Sequence, residues 1–139
     1  MLSTQKIQGI FSAPEVKHGI SLFATGELDA IEGLIIEKEG RFFIKCQIRD
    51  KYKVAKPEEI VRQAFVWRLL HEYNYPKGRI DVERMVYFGS RDSGLADIVI
   101  LHDDLTHPYI IFEVKRPRRT DGLEQLKSYC NAEGAPIGV

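Results

Sequence analysis

The stretch FEVKRPRR, residues 112–119, combines the alternation of a β-strand with charges that a buried strand does not carry. Glu113 and Lys115 lie two residues apart, so in an extended strand they project from the same face. Tyr109 and Ile111 share that face, which is therefore apolar at one end and charged at the other. We expect this strand to contribute partly to the core and partly to a charged site.

A second strand precedes it. ADIVIL (96–101) predicts a short apolar strand interrupted by one acid, Asp97, and HDDLTHP (102–108) predicts a connecting loop. If the two strands form a hairpin, their register can place Asp97 beside Glu113 and Lys115. Burying three such charges unpaired would cost roughly several kcal/mol per ion. A divalent cation removes that penalty for the carboxylates, since hard cations prefer oxygen ligands.

The clearest helix in the sequence is KPEEIVRQAFVWRLLHEY (56–73). Pro57 suits the first helical position, and acids follow it in the first turn. At 100° per residue, Glu59 lies on the same stripe as Val66 and Leu70. Glu59 should therefore point inward at one end of an apolar face.

The rest of the pattern completes an α/β fold. We expect a short helix at 12–19, a hairpin at 34–49 turning at Glu39-Gly40, a third strand at 51–54, a strand at 79–88, a turn region at Gly89 to Gly94, a helix at 120–134 that stops at Gly134, and a last strand at 135–139. A mixed central sheet flanked by helices would form residues 56–139, with residues 1–55 as a helix and hairpin extension. Since the chain ends inside a strand, we expect a fragment of a longer protein.

Composition excludes several classes of protein. The 139 residues carry 20 basic and 20 acidic side chains, so a nucleic-acid interaction must rest on local clustering. The two cysteines are too few for a disulfide scaffold, and no signal peptide or membrane-spanning stretch is visible, which favours the cytoplasm. No Gly-x-x-x-x-Gly-Lys-Ser/Thr loop occurs, so ATP binding of that type is not expected.

The charged strands suit phosphodiester chemistry. Two carboxylates can hold Mg²⁺, which stabilises negative charge and lowers the pKa of bound water, and a lysine can neutralise the phosphate. Other interpretations stay open, because Glu-x-Lys on a strand is often a solvated face or an ion pair. Arg116, Arg118 and Arg119 either hold DNA phosphates or form a solvated loop. The segment HDDLTH is expected to be a solvated turn rather than a metal loop.

The joint pattern resembles the PD-(D/E)XK nuclease superfamily, and within it the N-terminal nuclease domain of type I restriction enzyme R (motor) subunits. The segments that carry the resemblance are KPEEIVRQ (56–63), YNYP (73–76), ADIVI (96–100), IIFEVKRP (110–117) and EQLKSY (124–129). They span about residues 56 to 139, and their order is more specific than any single segment. One departure is Ala96, where the superfamily name has proline.

The resemblance implies roles for individual residues. By position, Asp97 and Glu113 bind the metal, Lys115 is the catalytic lysine and Glu59 is the helix acid. A further pair, Gln125 and Tyr129, matches the Gln-x-x-x-Tyr element that positions DNA and supports the active site.

The function implied is a Mg²⁺-dependent endonuclease domain, with Mn²⁺ able to substitute, that cuts double-stranded DNA without reading its sequence. Its partners would be the modification and specificity subunits of a restriction complex. ATP would enter only through a motor domain beyond residue 139. Two alternatives stay open: a catalytically silent nuclease-fold module that binds DNA or partner subunits, and a structural domain in which Asp97, Glu113 and Lys115 form an ion-pair network.

Overall fold

The computed structural model describes residues 5–10, 23–88, 92–114 and 122–139. The chain divides into two compact units, Met1–Asn74 and Tyr75–Val139. Each unit contains helices and a β-sheet, so the fold is α/β as expected. The expected helix at 12–19 lies outside the described residues, and the division into residues 1–55 and 56–139 stays a prediction.

The first unit contains one three-stranded sheet. Its elements are α1 (Gln5–Ile10), α2 (Thr25–Glu32), β1 (Ile35–Lys38), β2 (Arg41–Lys45), β3 (Tyr52–Val54) and α3 (Pro57–His71). The strands pair antiparallel in the order β1-β2-β3. Glu39 and Gly40 have φ values of 54° and 75°, as both central residues of a type I′ hairpin turn require. The expected hairpin and third strand are confirmed.

One face of this sheet forms the core of the first unit. Ile35 and Ile44 are cross-strand partners and are 1% and 0% exposed. They belong to one cluster with Ile7, Ile31 and Ile60, which come from the three helices. The helix expected at 56–73 is confirmed as α3, with Pro57 at its start.

Ionic contacts join distant parts of the first unit. Both carboxylate oxygens of Glu32 accept backbone N–H groups at the start of α1, from Lys6 at 2.8 Å and Ile7 at 3.0 Å. These N–H groups have no partner within their own helix, so Glu32 satisfies them from α2. Arg68 donates to both oxygens of Glu27 at 2.9 Å, and this bond holds the pKa of the Glu27 carboxyl below its usual value.

The second unit contains a four-stranded mixed sheet. After a short 3₁₀ turn at Lys77–Arg79, its elements are β4 (Ile80–Phe88), β5 (Asp92–Leu101), β6 (Pro108–Phe112), α4 (Gly122–Glu133) and β7 (Ile137–Gly138). The order is β4-β5-β6-β7, in which β7 runs parallel to β6 and the other pairs are antiparallel. Helix α4 connects the two parallel strands, and its core contacts include Tyr129 against Val86, Val99 and Ile111.

Several expected boundaries were wrong. The turn region expected at Gly89 to Gly94 ends sooner, because β5 begins at Asp92 and its ladder with β4 continues through Gly94. Strand β6 ends at Phe112 rather than at residue 115, and the N–H of Val114 bonds to the side chain of Asp97 instead of to a backbone carbonyl. Its start also differs, since Pro108 belongs to β6 and not to the preceding loop.

The end of α4 is confirmed. Gly134 has a φ of +68°, the left-handed conformation that commonly follows the last helical residue. The sequence also predicts a capping box of Asp121 and Glu124 at the start of this helix, and Asp121 and the Glu124 side chain lie outside what the structure describes. None of the helices in the described ranges is long and apolar enough to cross a membrane.

Candidate active site

The β5–β6 hairpin brings Asp97 and Glu113 together. The last pair of its ladder is Ile98 with Phe112, and the same register, continued one residue beyond the end of β6, would set Asp97 opposite Glu113. Residues directly opposite each other in antiparallel strands have Cβ atoms about 5 Å apart on the same face. A direct contact supports this placement, since Oδ2 of Asp97 accepts the backbone N–H of Val114 at 2.8 Å. The hairpin therefore brings the Asp97 carboxylate to Val114, the residue that follows Glu113.

Glu113 is held by the strand on its other side. Its backbone N–H donates to the carbonyl of Val139 at 3.0 Å, so it lies between β5 and the end of β7. The residue is half-buried, and its Oε1 atom is buried. On α4, burial raises the pKa of the Cys130 thiol, and the negative charge of Glu113 raises it further. The Glu113 carboxylate is therefore close enough to the Cys130 thiol on α4 to act on it electrostatically.

Gln125 and Tyr129 form a contact on α4, as their spacing predicts. Nε2 of Gln125 donates to the Tyr129 hydroxyl at 2.6 Å. Tyr129 is 3% exposed, and its hydroxyl lies against the backbone of Gly94 on β5. A Cβ at position 94 would collide with that hydroxyl and lie 3.0 Å from Cζ of the ring. Only glycine therefore lets α4 approach β5 this closely, three residues from Asp97.

Gly94 is a supporting residue that the sequence analysis missed. It was assigned to a turn, whereas a glycine inside a strand often marks a close approach of another group. No local signal reveals it, because Asp92, Ser93 and Gly94 are all residues typical of turns.

Glu83 on β4 is a further acid near this row. The β4–β5 ladder pairs Val82 with Ile98 and Arg84 with Ala96, so Glu83 is level with Asp97 between them. Its φ of 49° is uncommon for a residue with a side chain. Among the residues that the structure describes, however, no group of three or more His, Cys, Asp or Glu side chains could hold a metal ion. The extended ladder register and the bond between Val114 and Asp97 favour Asp97 and Glu113 as the two acids that lie near each other.

Glu59 belongs to the first unit, where it forms two ion pairs. It is 6% exposed, which confirms that it points inward. Its oxygens lie 3.1 Å from Nζ of Lys53 and 2.9 Å from a guanidinium nitrogen of Arg62. Gln63, which follows Arg62 in the sequence, is fully buried. Its side-chain oxygen accepts a hydrogen bond from the backbone N–H of Gln47 at 3.0 Å. A catalytic part for Glu59 stays a prediction.

Four expected site residues lie outside the described part of the chain: Lys115, Arg116, Arg118 and Arg119. Val114 is the last residue described before them, and its bond to Asp97 fixes where that segment starts. Their contacts and roles stay predictions.

The loop between β5 and β6 is a solvated turn, as expected. Asp104 accepts backbone N–H groups from Thr106 and His107 and contacts the His107 ring. The bonds from His107 and Thr106 hold the pKa of the Asp104 carboxyl far below its usual value. The two side chains of Asp104 and His107 are 47% and 73% exposed, so this pair closes the turn in solvent.

Comparison with protein families gives one match that covers more than half of the chain. Residues 57–139 match the family described as type I restriction enzyme R protein N terminus (HSDR_N). Comparisons with curated proteins and with solved structures return no match. The matched residues include Asp97, Glu113 and the Gln125–Tyr129 pair. The chain therefore belongs to the family of type I restriction enzyme R protein N termini.

Proposed function

We propose that this chain is a Mg²⁺-dependent DNA endonuclease domain with a PD-(D/E)XK active site. Its substrate would be double-stranded DNA, cut by phosphodiester hydrolysis without sequence readout. The observation that carries the proposal is the hydrogen bond from the backbone N–H of Val114 to the Asp97 carboxylate, because Val114 lies between Glu113 and Lys115 in the sequence. Family membership supports a role in restriction.

The two acids fit a magnesium ion by their chemistry. Mg²⁺ is usually bound through one or two carboxylates, with waters and substrate phosphates completing its coordination. Asp97 and Glu113 supply two carboxylates on neighbouring strands, and the bond from Val114 orients the first of them. When bound there, Mg²⁺ or Mn²⁺ would stabilise charge on the phosphate and lower the pKa of a bound water.

Basic residues would complete the site. Lys115 follows Val114 directly, and its ammonium group would neutralise the phosphate or orient the attacking water. Arg116, Arg118 and Arg119 would hold neighbouring phosphates of the DNA. Glu59 would serve as a further acid from its helix.

Gln125 and Tyr129 would act as positioning residues. Their bond and the fit of the Tyr129 hydroxyl against Gly94 hold α4 on β5. This contact would keep the strand that carries Asp97 in place while the nearby Gln125 side chain faces the DNA backbone.

The proposed context is a cytoplasmic restriction complex. The family name refers to the R protein, and we propose that specificity comes from separate modification and specificity subunits. ATP-driven movement on DNA would belong to a motor domain and not to these residues.

The proposal is tested by cleavage of supercoiled plasmid DNA in the presence of Mg²⁺ or Mn²⁺. We expect nicking by the wild type, no nicking by Lys115→Ala or Asp97→Asn, and unchanged nicking by the controls Lys77→Ala and Asp103→Asn. Asp103 suits this purpose because its side chain is 98% exposed in the same unit. A wild type that binds DNA with both metals and never cuts would favour the silent binding module instead.

A further inference from the structure

The outer face of the three-stranded sheet carries exposed apolar side chains. Ile36, Phe43 and Val54 are cross-strand partners in one row across β1, β2 and β3. They alternate with Ile35 and Ile44, which face the core, so the row lies on the opposite face. Ile36 and Val54 are each 40% exposed, and Phe43 is half-buried. This row is a surface on which another molecule can pack.

Cations flank the row on both sides. Lys38 pairs with Arg41 across the hairpin, two residues from the Ile36–Phe43 pair, and Lys45 pairs with Tyr52, two residues from the Phe43–Val54 pair. Because side chains alternate between the faces of a sheet, all four project to the outer face. Acids are absent from the strand positions on this face, because Glu37 pairs with Phe42 on the core side. The face therefore carries three positive charges in a chain whose net charge is zero.

These cations are available to a ligand. Within the described part of the chain, the side chains of Lys38 and Lys45 form no ion pair or hydrogen bond, and Arg41 contacts the Phe43 ring at 5.6 Å. An apolar protein partner would have to bury three unpaired charges, which is costly. Phosphates would instead neutralise them and release counterions from the nucleic acid.

Tyr52 favours a single strand of nucleic acid over a duplex as the ligand of this face. Its side chain is 52% exposed beside Lys45, so its ring offers a face for stacking. Exposed aromatic rings among cations are the usual means of binding single strands, because unpaired bases present their flat faces. A duplex hides those faces and would leave Tyr52 without a function.

We infer that the outer face of the β1–β3 sheet binds single-stranded DNA, with Lys38, Arg41 and Lys45 on phosphates and Tyr52 stacked on a base. None of these residues belongs to the proposed metal site. The binding is therefore independent of metal and of cleavage.

The test measures fluorescence anisotropy of a labelled oligothymidine with the 139-residue chain in EDTA, which prevents cleavage. For single strands each phosphate contact contributes about 0.7 to the slope of log K against log salt. We expect Lys38→Gln/Lys45→Gln to reduce that slope by about 1.4. The control Lys51→Gln/Lys77→Gln, which removes the same charge from exposed positions off this face, should leave the slope unchanged.

Tyr52 gives a second, uncharged readout. Tyr52→Ala should weaken oligothymidine binding about fivefold or more, whereas Tyr52→Phe should retain it. Circular dichroism checks that each variant is folded. The inference would be overturned if both lysine pairs lost binding equally, or if a duplex bound more tightly than oligothymidine. It would also be overturned if oligothymidine did not bind at all, and a protein partner would then be the better candidate for this face.

Discussion

The backbone N–H of Val114 donates a hydrogen bond to Oδ2 of Asp97 at 2.8 Å, across 17 residues of sequence. Val114 lies between Glu113 and Lys115, so this single bond places the Asp97 carboxylate beside the Glu-x-Lys motif. It also marks the end of β6, because the N–H of Val114 bonds to the side chain of Asp97 rather than to a backbone carbonyl of β5. The same bond therefore lies at the proposed metal site and at the end of the strand.

Asp97 variants separate a metal ligand from a structural acid. Asparagine can still accept the Val114 N–H, and it removes the repulsion between two neighbouring carboxylates. Without metal, we expect the free energy of unfolding of Asp97→Asn, measured in urea, to be equal to or higher than that of the wild type. Asp97→Ala loses the bond and should be less stable by about 1 kcal/mol.

The same variants respond differently to metal. Mg²⁺ should stabilise the wild type and leave Asp97→Asn unchanged, since binding to the native state alone raises the free energy of unfolding. Asp103→Asn serves as the control and should respond like the wild type. If Asp97→Asn were as unstable as Asp97→Ala without metal, the ion-pair network would be the better account.

Gly94→Ala tests the contact between α4 and β5. The new methyl group would collide with the Tyr129 hydroxyl, and Tyr129 is too buried to move away freely. We expect a loss of about 1–3 kcal/mol in the free energy of unfolding. Gly78→Ala is the matched control in the same unit, because no atom lies within 4 Å of its added Cβ.

A double variant shows that the collision is with the hydroxyl. Tyr129→Phe removes that oxygen, so it should recover part of the stability lost in Gly94→Ala. Recovery would be incomplete because the ring carbons stay 3.0 and 3.1 Å from the added Cβ. Strictly additive losses in the double-mutant cycle would contradict this contact.

Glu27→Gln tests the pH dependence of the first unit. Arg68 lowers the folded pKa of Glu27 below its usual 4.5, so the stabilisation is fully present above that pH. It should disappear as the pH falls through the folded pKa. Near neutral pH we expect Glu27→Gln to be less stable by about 2 kcal/mol, the size of a lost charge-assisted bond.

The measurement is urea unfolding of both proteins over a range of acidic pH. The difference between wild type and Glu27→Gln should shrink toward zero as the pH falls. The control is Glu37→Gln, since Glu37 is an exposed acid of the same unit. The difference in free energy of unfolding between this variant and the wild type should not change with pH. A difference that stays constant with pH would show that the Arg68 contact does not depend on the Glu27 charge.

Local patterns predicted much of this fold. Glu39-Gly40 specifies a turn by its own backbone preferences, and Pro57 followed by acids specifies a helix start. The inward position of Glu59 followed from helical periodicity alone. Such features depend on residues within one or two turns of each other, so a single sequence contains them.

Features that depend on distant residues were not predictable in the same way. Alternation gave the faces of Asp97 and Glu113, but shifting a strand by two residues preserves faces, so the register needed the packed sheet. The bond between Arg68 and Glu27 spans 41 residues and has no local signal. Gly94 resembled a turn residue until Tyr129 was seen against it.

The most direct test of the metal site is a Mn²⁺ titration followed by water proton relaxation, with and without a duplex oligonucleotide. We predict that the wild type binds Mn²⁺, that Mg²⁺ competes for it, and that Asp97→Asn and Glu113→Gln abolish the binding while Asp103→Asn does not. Unchanged Mn²⁺ binding by Asp97→Asn, or no binding by the wild type even with DNA, would contradict a metal site on these carboxylates.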